Sequence, residues 1–246
     1  MEHLYNFSAS ERMRYSRQLT LPGFGEEAQS RLASGSVLVI GAGGLGSPAA
    51  LYLAAAGVGR LGLVDGDKVD LSNLQRQIIH STSRIGMPKA ESAAGMLADL
   101  NPEVEVIAES KFVTPENIIP LIDGYDFVID ATDSFEAKRM INDTCVQAGK
   151  PFNHGAIWRY CGQTMTVLPH TPCYSCLFDT DPQEAAARGP LGVTAGILGT
   201  IQAAEAIKYL AGTGELLTGT LLRFDTLTMD FSKITVPMNP SCHNHH

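Results

Sequence analysis

The stretch that decides the fold reads Val37-Leu-Val-Ile40, Gly41-Ala-Gly-Gly-Leu-Gly-Ser-Pro48 and Ala49-Ala-Leu-Tyr-Leu-Ala-Ala-Ala56. It predicts a buried strand, a glycine turn and an apolar helix with Pro48 in its first turn and Gly57 at its end. From Leu32 to Gly59 there is no charged residue, a length that on paper could cross a bilayer. Because glycines break this segment in the middle, we interpret it as protein core.

Short strand-like and longer helix-like stretches alternate downstream. Strands are predicted at Leu61–Val64, Val104–Ala108 and Asp126–Asp130, and helices at Lys89–Leu100 and Phe135–Ala148. This order predicts an α/β, Rossmann-like fold, a mostly parallel sheet with helices on both faces. Beyond Gly162, predicted strands at 163–168, 220–224 and 234–236 and a helix at 199–211 indicate antiparallel strands that extend the sheet in the C-terminal part. A mobile loop is predicted between Phe178 and Pro190.

Composition excludes several classes of protein. The 246 residues include 18 basic and 26 acidic side chains, a net charge of -8, and no basic patch of the kind that binds nucleic acid. The first residues lack the apolar core of a secretory signal, and the five cysteines cannot all pair with one another. We therefore expect a cytoplasmic protein that binds neither nucleic acid nor membrane, in which a Cys-x-x-Cys pair serves metal or redox chemistry.

The glycine turn has the features of a nucleotide site. Gly41, Gly43 and Gly46 follow a strand and open a helix, a context in which the backbone approaches a phosphate closely and the helix dipole favours it. Asp65 lies at the end of the next strand, about 20 residues further on, where an acid accepts hydrogen bonds from ribose hydroxyls. A glycine turn needed only for packing, or an NAD-dependent oxidoreductase, would show the same pattern.

The residues that follow favour a triphosphate over a dinucleotide. Polar and cationic groups come soon after the ribose-binding acid, namely Asp67, Asn73, Arg76 and Lys89. Arginine and lysine are the donors that neutralise a triphosphate. Asp133 ends the next parallel strand, at the edge where such folds bind ligands and a carboxylate can hold Mg²⁺. Arg76 and Lys89 as ordinary surface charges remain the alternative.

At this point the sequence resembles a family. The segments that carry the resemblance are Arg14-Tyr-Ser-Arg-Gln18, Gly41-Ala-Gly-Gly-Leu-Gly46, Asp65-Gly-Asp67, Ser72-Asn-Leu-Gln-Arg76, Gly86-x-x-Lys89, Asn101-Pro102, Ala131-Thr-Asp133, Gly155 with Gly162-Gln163, Pro172-Cys-Tyr-Ser-Cys176 and Asn239-Pro-x-Cys242. They occur in the order found in the MoeB/ThiF/HesA group, the bacterial branch of the ubiquitin-activating enzymes. The resemblance covers the chain from about Arg14 to its end.

What the resemblance implies is adenylation of a protein carboxylate. The C-terminal Gly-Gly of a small ubiquitin-like sulfur carrier would attack the α-phosphate of ATP, giving an acyl adenylate and pyrophosphate for molybdopterin, thiamin or a related sulfur-transfer route. Carried over to this sequence, the nucleotide-binding residues are Gly41, Gly43, Gly44, Asp65, Asp67, Asn73, Arg76, Lys89 and Asp133, with Asp133 holding Mg²⁺. Arg17, Arg76, Lys89 and Asp133 are the expected catalytic residues. Arg17 would reach the ATP of the neighbouring subunit, which implies a homodimer with composite sites.

Cysteines form a predicted structural zinc site. Cys173 and Cys176 offer two thiolates at a spacing that suits one tetrahedral metal, and Cys242 and His245 can supply the remaining ligands. The family usually has a second Cys-x-x-Cys pair where this chain has His245. His243 or His246 in the place of His245, or an unliganded tail, are the alternatives, and a redox role for the Cys-x-x-Cys pair is disfavoured.

The remaining features set the expected limits of the activity. The loop at 183–188 lacks the cysteine that some members use to bond the carrier, and Cys145 and Cys161 are expected to be packed side chains rather than nucleophiles. No sulfurtransferase segment follows the metal motif, so a separate sulfur donor protein is expected. We divide the predicted single domain, 1–246, into a helical segment 1–35, a nucleotide-binding half 36–155 and a carrier- and zinc-binding half 156–246. A non-catalytic nucleotide-binding module and a transfer-RNA-modifying cyclase remain alternatives.

Overall fold

A computed structural model of the chain describes residues 5–178 and 189–245. Within this part, one eight-stranded sheet has the order β3-β2-β1-β4-β5-β6-β7-β8. The strands are β1 Ser36–Ile40, β2 Arg60–Val64, β3 Glu105–Glu109, β4 Phe127–Asp130, β5 Phe152–Trp158, β6 Cys161–Val167, β7 Thr220–Asp225 and β8 Asp230–Thr235. All pairs from β3 to β5 are parallel, and those from β5 to β8 are antiparallel. The predicted fold class, a parallel sheet extended by antiparallel strands, is confirmed.

Helices cover both faces of the sheet. They are α1 Ala9–Arg14, α2 Ser16–Leu19, α3 Gly25–Ser34, α4 Gly46–Ala56, α5 Lys89–Leu100, α6 Ile118–Asp123, α7 Phe135–Gln147, α8 Tyr174–Leu177 and α9 Gly192–Ala211. Successive side chains of β1 point to opposite faces. Val37 and Val39 join the core cluster built with α4, α5 and α9, whereas Leu38 and Ile40 join the cluster built with α6 and α7. No helix in the described ranges is long and apolar enough to span a bilayer.

One strand was missed and one helix start was predicted wrongly, and tertiary packing explains both differences. Strand β5 was not predicted from the sequence, because its buried residues Asn153 and His154 read as polar. Helix α9 begins at Gly192 rather than at the predicted Gly199. A β-carbon on Gly199 would overlap the Leu45 carbonyl oxygen, so this weakly helix-forming segment is helical where its glycines allow close packing against α4. The predicted loop between Phe178 and Pro190 lies mostly at 179–188, outside the described residues, and the division of the chain into segments stays a prediction.

Candidate nucleotide site and metal cluster

The glycine turn joins β1 to α4 and packs against the end of β4. Gly41 has a φ of 100°, a left-handed conformation that glycine adopts without steric cost. A β-carbon on Gly41 would lie 2.7 Å from the Ala131 carbonyl oxygen, and one on Gly46 would overlap the Gly41 carbonyl oxygen. A β-carbon on Gly43 would meet nothing closer than Gln77 Nε2, at 3.4 Å. The turn therefore needs Gly41 and Gly46 for its own packing and leaves space at Gly43, beside the N-terminus of α4.

The side chains of Asp65 and His80 hydrogen-bond to the backbone of the turn at Ala42. Ala42 N donates to Asp65 Oδ2 at 2.8 Å, and Asp67 N donates to Asp65 Oδ1 at 2.8 Å. His80 Nε2 lies 3.0 Å from the Ala42 carbonyl oxygen and His80 Nδ1 lies 2.9 Å from Ser92 Oγ. Because a carbonyl only accepts, Nε2 carries the proton of this histidine. Burial lowers the pKa of His80, which favours the neutral form of the ring in the fold.

Two predicted cationic residues are brought to this turn. Lys89, the first residue of α5, is buried and donates from Nζ to Asp67 Oδ2 at 2.8 Å. The Cγ and Cδ atoms of Arg76 lie 3.6 Å from where a β-carbon on Gly44 would stand. Arg76 therefore lies beside Gly44 of the turn, and Lys89 lies beside Asp67, close to the carboxylate of Asp65 that holds the turn. An anion at the N-terminus of α4 would find two cations beside it.

Asn73 has a local structural role in addition to its predicted contact. It ends the short 3₁₀ helix Leu71–Asn73, and its Oδ1 accepts from Asp70 N at 3.1 Å. Asp70 in turn accepts from Ser72 N at 2.8 Å. These bonds fix the segment that carries Arg76, whose Nη1 donates to the Ser72 carbonyl oxygen at 3.1 Å. The side chain of Asn73 thus shapes the turn that delivers Arg76.

Asp133 lies just beyond β4, exposed, in the turn that precedes α7. The preceding residue is close to the glycine turn, because a β-carbon on Gly41 would lie 3.4 Å from Thr132 N. Helix α7 begins after Ser134, whose Oγ accepts from Ala137 N at 3.1 Å and caps the helix. The structure therefore places the Asp133 turn and the glycine turn side by side at the carboxyl edge of the sheet.

A buried polar cluster beneath that turn was missed by the sequence analysis. Lys138 Nζ lies 3.2 Å from Asp130 Oδ2, and His154 Nδ1 lies 3.0 Å from the same oxygen. Burial alone would raise the pKa of the Asp130 carboxyl, but the charge of Lys138 and hydrogen bonds from His154 and Thr132 lower it to about 2. Burial also lowers the pKa of His154. The signal in the sequence was an aspartate closing an apolar strand, with a lysine eight positions further on, in the first turn of the predicted helix.

Arg17 lies far from the glycine turn of its own chain. It is exposed on α2, and its neighbour Gln18 donates to the carbonyl oxygen of Ala56, the last residue of α4, at 3.0 Å. Arg14 reaches the last residue of α5, donating to the Leu100 carbonyl oxygen at 2.9 Å. The glycine turn is at the other end of α4, about 16 Å away for an 11-residue helix. The fold therefore does not bring Arg17 together with the other predicted site residues of the same chain.

The four predicted metal ligands converge. Ligand atoms of Cys173, Cys176, Cys242 and His245 all lie within 4.8 Å of one another. Cys173 Sγ is 4.0 Å from Cys176 Sγ and 3.7 Å from Cys242 Sγ. Two thiolates on one tetrahedral zinc stand about 3.8 Å apart for Zn–S bonds of about 2.3 Å. The geometry and the donor set therefore fit a tetrahedral Cys₃His metal site.

Helix α7 holds both segments that carry these ligands. Asn142 Oδ1 accepts from Tyr174 N at 2.9 Å, at the start of α8, and Asp143 Oδ1 accepts from Asn244 Nδ2 at 2.6 Å, in the C-terminal tail. His243, an alternative fourth ligand, instead pairs through Nε2 with Asp143 Oδ2 at 3.2 Å. His246, the other alternative, lies outside the described residues. The structure thus favours His245 as the fourth ligand.

The other two cysteines lie outside this cluster. Cys145 is buried in α7, and burial raises the pKa of its thiol to about 12. Cys161 is half-buried at the start of β6 and donates from Sγ to Asp225 Oδ2 at 3.4 Å. Burial and the Asp225 carboxylate raise the pKa of this thiol as well. In both places burial and a nearby carboxylate raise the pKa of the thiol more than the neighbouring cation lowers it, which is the opposite of the surroundings that stabilise a nucleophilic thiolate.

Comparison with known proteins supplies the family. The family model described as "ThiF family" matches residues 15–244. The chain belongs to the ThiF family. The resemblance to the MoeB/ThiF/HesA group drawn from the sequence motifs is thereby confirmed. The matched residues include the glycine turn, the Asp133 turn and the three cysteines of the metal cluster, whereas His245 lies just beyond them.

Similar ThiF-family proteins differ in length. The SAMP-activating enzyme E1 of Haloferax volcanii is 45% identical over 242 residues, with 96% of this chain and 90% of that protein covered. The sulfur carrier protein adenylyltransferase of Thermus thermophilus is 44% identical over 241 residues, with coverage of 93% and 89%. The adenylyltransferase and sulfurtransferase MOCS3-1 of Zea mays is 49% identical over 222 residues, 87% of this chain. The chain spans only 47% of that longer protein.

Solved structures share the fold of this ThiF-family chain at low sequence identity. Escherichia coli MccB, crystallised with MccA-N7isoASN, superposes with a TM-score of 0.85 over 98% of this chain and 76% of that one, at 21% identity. PaaA superposes with a TM-score of 0.81 over 96% of this chain and 77% of that one, also at 21% identity. These likenesses establish the fold, while the relatives of higher identity bear on function.

Proposed function

We propose that this protein is an ATP-dependent adenylyltransferase, which activates the C-terminal Gly-Gly carboxylate of a small ubiquitin-like sulfur-carrier protein. The observation that carries the proposal is the placement of Arg76 and the Asp133 turn against the glycine turn at the N-terminus of α4, with Lys89 held by Asp67 on the adjoining segment. The names of the relatives, an activating enzyme and sulfur-carrier adenylyltransferases, support this activity. Because they do, we do not propose the NAD-dependent oxidoreductase considered from the sequence.

The nucleotide would lie along the carboxyl edge of β1, β2 and β4. Gly41, Gly43 and Gly44 would let its phosphates approach the backbone, and Asp65 and Asp67 would accept hydrogen bonds from the ribose. Asn73, Arg76 and Lys89 would face the phosphates. Asp133, exposed beside the glycine turn, fits Mg²⁺ as a hard carboxylate ligand, and this ion would neutralise charge on the phosphate oxygens. Asp67 shares its carboxylate with Lys89, so ribose binding and the position of this ammonium would be linked.

The reaction requires the protein to orient the two substrates and to neutralise the charge of the phosphates. One oxygen of the carrier's C-terminal carboxylate forms a bond to the α-phosphorus, and the bond from this phosphorus to the bridging oxygen of pyrophosphate breaks. Arg76 and Lys89 would stabilise the negative charge that gathers on the phosphoryl oxygens and on the departing pyrophosphate. The attacking carboxylate is already ionised at neutral pH, so no protein base is required. No cysteine of this chain is needed as a nucleophile.

We propose a homodimer because of the position of Arg17. This residue stands at the opposite end of α4 from the turn, so it can reach a nucleotide only in a neighbouring subunit. Two chains related by a twofold axis would each complete the site of the other.

The tetrahedral cluster is proposed as a structural zinc site. Cys173, Cys176, Cys242 and His245 would fill four positions and leave none open for a substrate. Zinc would supply there a rigid link between the C-terminal tail and the short helix α8, which begins just after Cys173.

Sulfur donation to the activated carrier would be the task of another protein. We propose that a separate donor protein supplies the sulfur that replaces the adenylate, in the cytoplasm and for molybdopterin, thiamin or a related pathway. The longer relative named for both an adenylyltransferase and a sulfurtransferase activity exceeds the length of this chain about twofold. This comparison supports adenylation as the activity of the portion that this chain and the longer relative share.

The decisive experiment is ATP–pyrophosphate exchange with the purified protein. Exchange is expected when ATP, Mg²⁺ and a carrier ending in Gly-Gly are all present. It is expected to disappear when the last glycine of the carrier is deleted. Asp133→Ala is expected to abolish exchange while leaving the protein folded. Exchange supported by a free amino acid in place of the carrier would contradict the proposal.

A further inference from the structure

Lys138, in the first half of α7, is surrounded by four oxygen atoms. Its Nζ lies 3.3 Å from Asp130 Oδ1, 3.2 Å from Asp130 Oδ2, 2.7 Å from the Thr132 carbonyl oxygen and 2.6 Å from the Gly155 carbonyl oxygen. The side chains of Lys138 and Asp130 are only 4% and 1% exposed. This ammonium therefore ties together the end of β4, the turn that follows it, and the neighbouring strand β5.

The carboxylate of Asp130 also hydrogen-bonds to Thr132 in the turn that follows β4. Its Oδ1 accepts from Thr132 N at 3.1 Å and from Thr132 Oγ1 at 2.6 Å. Gln202 on α9 donates to the Asp130 carbonyl oxygen at 2.9 Å, which holds the strand end from the other face of the sheet. Both the N–H and the C=O group of Thr132 are thus fixed. The next residue along the chain is Asp133.

A buried ion pair contributes little net free energy to the stability of a fold. Removing two charges from water carries a desolvation penalty that their attraction often fails to exceed, and apolar replacements of such pairs are frequently neutral or stabilising. A stability role alone therefore does not explain the pair of Asp130 and Lys138. What the pair does provide is a fixed direction for the backbone at Thr132, since three of its bonds end there.

We propose that Lys138, acting through Asp130 and Thr132, is a positioning residue that aims the Asp133 carboxylate at the magnesium–nucleotide complex. The inference rests on the proposed function, because it gives Asp133 the role of magnesium ligand. It extends that function to a residue that touches neither nucleotide nor metal. In metal sites, groups that hold a ligand in place change metal affinity about 10- to 100-fold when they are removed.

The sign of the effect separates positioning from simple electrostatics. Lys138 is a cation near the place where Mg²⁺ would bind. Deleting its charge would therefore strengthen Mg²⁺ binding if charge alone mattered. A loss of Mg²⁺ binding in a folded variant is the signature of a displaced Asp133.

The test compares ATP binding with and without Mg²⁺ by calorimetry, on the full chain and without a carrier protein. Lys138→Met is the primary variant, and Lys138→Arg keeps the cation. Asp130→Asn combined with Lys138→Met removes both charges, so that no unpaired buried charge threatens the fold. Lys150→Met is the matched control, because Lys150 also donates to two main-chain carbonyls, those of Asp123 and Tyr125, but at the opposite edge of the sheet.

In the wild type and in Lys150→Met, Mg²⁺ is expected to tighten ATP binding by the same factor. In Lys138→Met and in the double variant, that factor falls by about 10- to 100-fold, while ATP affinity without Mg²⁺ stays within about twofold. Lys138→Arg is expected to restore most of the Mg²⁺ effect.

A folded Lys138→Met or double variant that retains the full Mg²⁺ effect overturns the proposal, as does a wild type with no Mg²⁺ effect at all. A wild type with the Mg²⁺ effect but no carrier-dependent exchange would overturn the proposed function alone. The positioning role would then still be decided by the calorimetric comparison.

Discussion

Lys89 Nζ lies 2.8 Å from Asp67 Oδ2, and the two side chains are 7% and 55% exposed. The ammonium is therefore enclosed by protein, while the carboxylate that pairs with it still faces solvent. Such an arrangement holds a cation in one place beside the glycine turn. An incoming phosphate would meet a charge that is already oriented and partly desolvated.

Lys89→Met is expected to lower kcat/KM in the carrier-dependent exchange reaction by about 10²- to 10³-fold, because one preorganised donor to the phosphates is lost. Asp67 remains solvated in this variant, so the fold should persist. Lys111→Met is the control, since Lys111 makes an exposed ion pair with Glu109 at 3.1 Å. The control is expected to change kcat/KM by less than about twofold. Equal effects of the two substitutions would contradict a phosphate role for Lys89.

The glycines of the turn should differ in their tolerance of alanine. Gly46→Ala places a methyl group on the Gly41 carbonyl oxygen and is expected to lower the free energy of unfolding by about 3 kcal/mol. Gly43→Ala meets only ordinary contacts and is expected to change it by less than about 1 kcal/mol. Urea unfolding measures both values. Because the new methyl group would stand where phosphates approach, Gly43→Ala should still weaken ATP binding, and an unchanged affinity would place the phosphates elsewhere.

His80 predicts a dependence of stability on pH. Its folded pKa is depressed by burial, so the unfolded chain binds a proton first as the pH falls below about 6.5. Stability is therefore full above that value and declines as the pH falls toward the folded pKa, by up to about 1.4 kcal/mol per pH unit for one proton. His154, also depressed by burial, adds a decline of the same sign.

Denaturant unfolding of His80→Gln between pH 7 and pH 5 tests this expectation. The glutamine can still donate to the Ala42 carbonyl oxygen but takes up no proton, so its stability should decline less steeply than that of the wild type. His170→Asn is the control, because His170 is exposed and has a positive φ that asparagine tolerates. A variant at His80 with the wild-type slope would contradict the assignment.

Metal analysis tests the cysteine and histidine cluster. The wild type and Cys161→Ser are expected to carry about one zinc per chain, and Cys176→Ser much less, because Cys176 is one of the four ligands and Cys161 is not. His245→Ala should resemble Cys176→Ser, whereas His243→Ala should keep its metal because His243 pairs with Asp143. Equal zinc content in the wild type and Cys176→Ser would rule out the site.

Mixing two inactive variants tests the composite site. Arg17→Ala and Asp133→Asn are each expected to lose carrier-dependent exchange as homodimers. After subunit exchange, half of the dimers are mixed and each has one intact site, so about a quarter of the wild-type activity should return. No recovery, with mixed dimers confirmed by native mass spectrometry, would argue that Arg17 acts within its own chain or not at all.

The parallel half of the fold and the glycine turn could be predicted because their signals are local. Val37–Ile40 is an apolar run bounded by glycine, and Gly46 answers a backbone contact with the Gly41 carbonyl oxygen a few residues away. The same holds for the metal ligands, whose spacing within Cys173–Cys176 already suits a single ion. In these places the sequence pattern and the tertiary structure demand the same residues.

Strand β5 and the cluster around Asp130 could not be predicted because their polar residues are satisfied only in three dimensions. Asn153 Nδ2 donates to the Met165 carbonyl oxygen at 3.1 Å and Asn153 Oδ1 accepts from Thr164 Oγ1 at 2.9 Å, both across the β5–β6 pair. His154 and Lys138 meet at Asp130 from separate elements. Such residues look like a surface loop until the strands are paired. The binding and catalytic roles given to Arg17, Asn73, Arg76, Lys89, Asp133 and the other candidate site residues remain predictions.

Cys173 and Cys242 are 69 positions apart in the sequence, yet their sulfur atoms are 3.7 Å apart in the fold. A metal ion that joins them would close a loop containing α9, and the lost conformational entropy of the unfolded chain corresponds to about 4 kcal/mol for a permanent link of that length. Helix α9 packs behind the glycine turn, where Gly199 approaches Leu45. A metal tie between these two buried residues would thus couple metal binding to the folding of the helix against which the nucleotide turn is built.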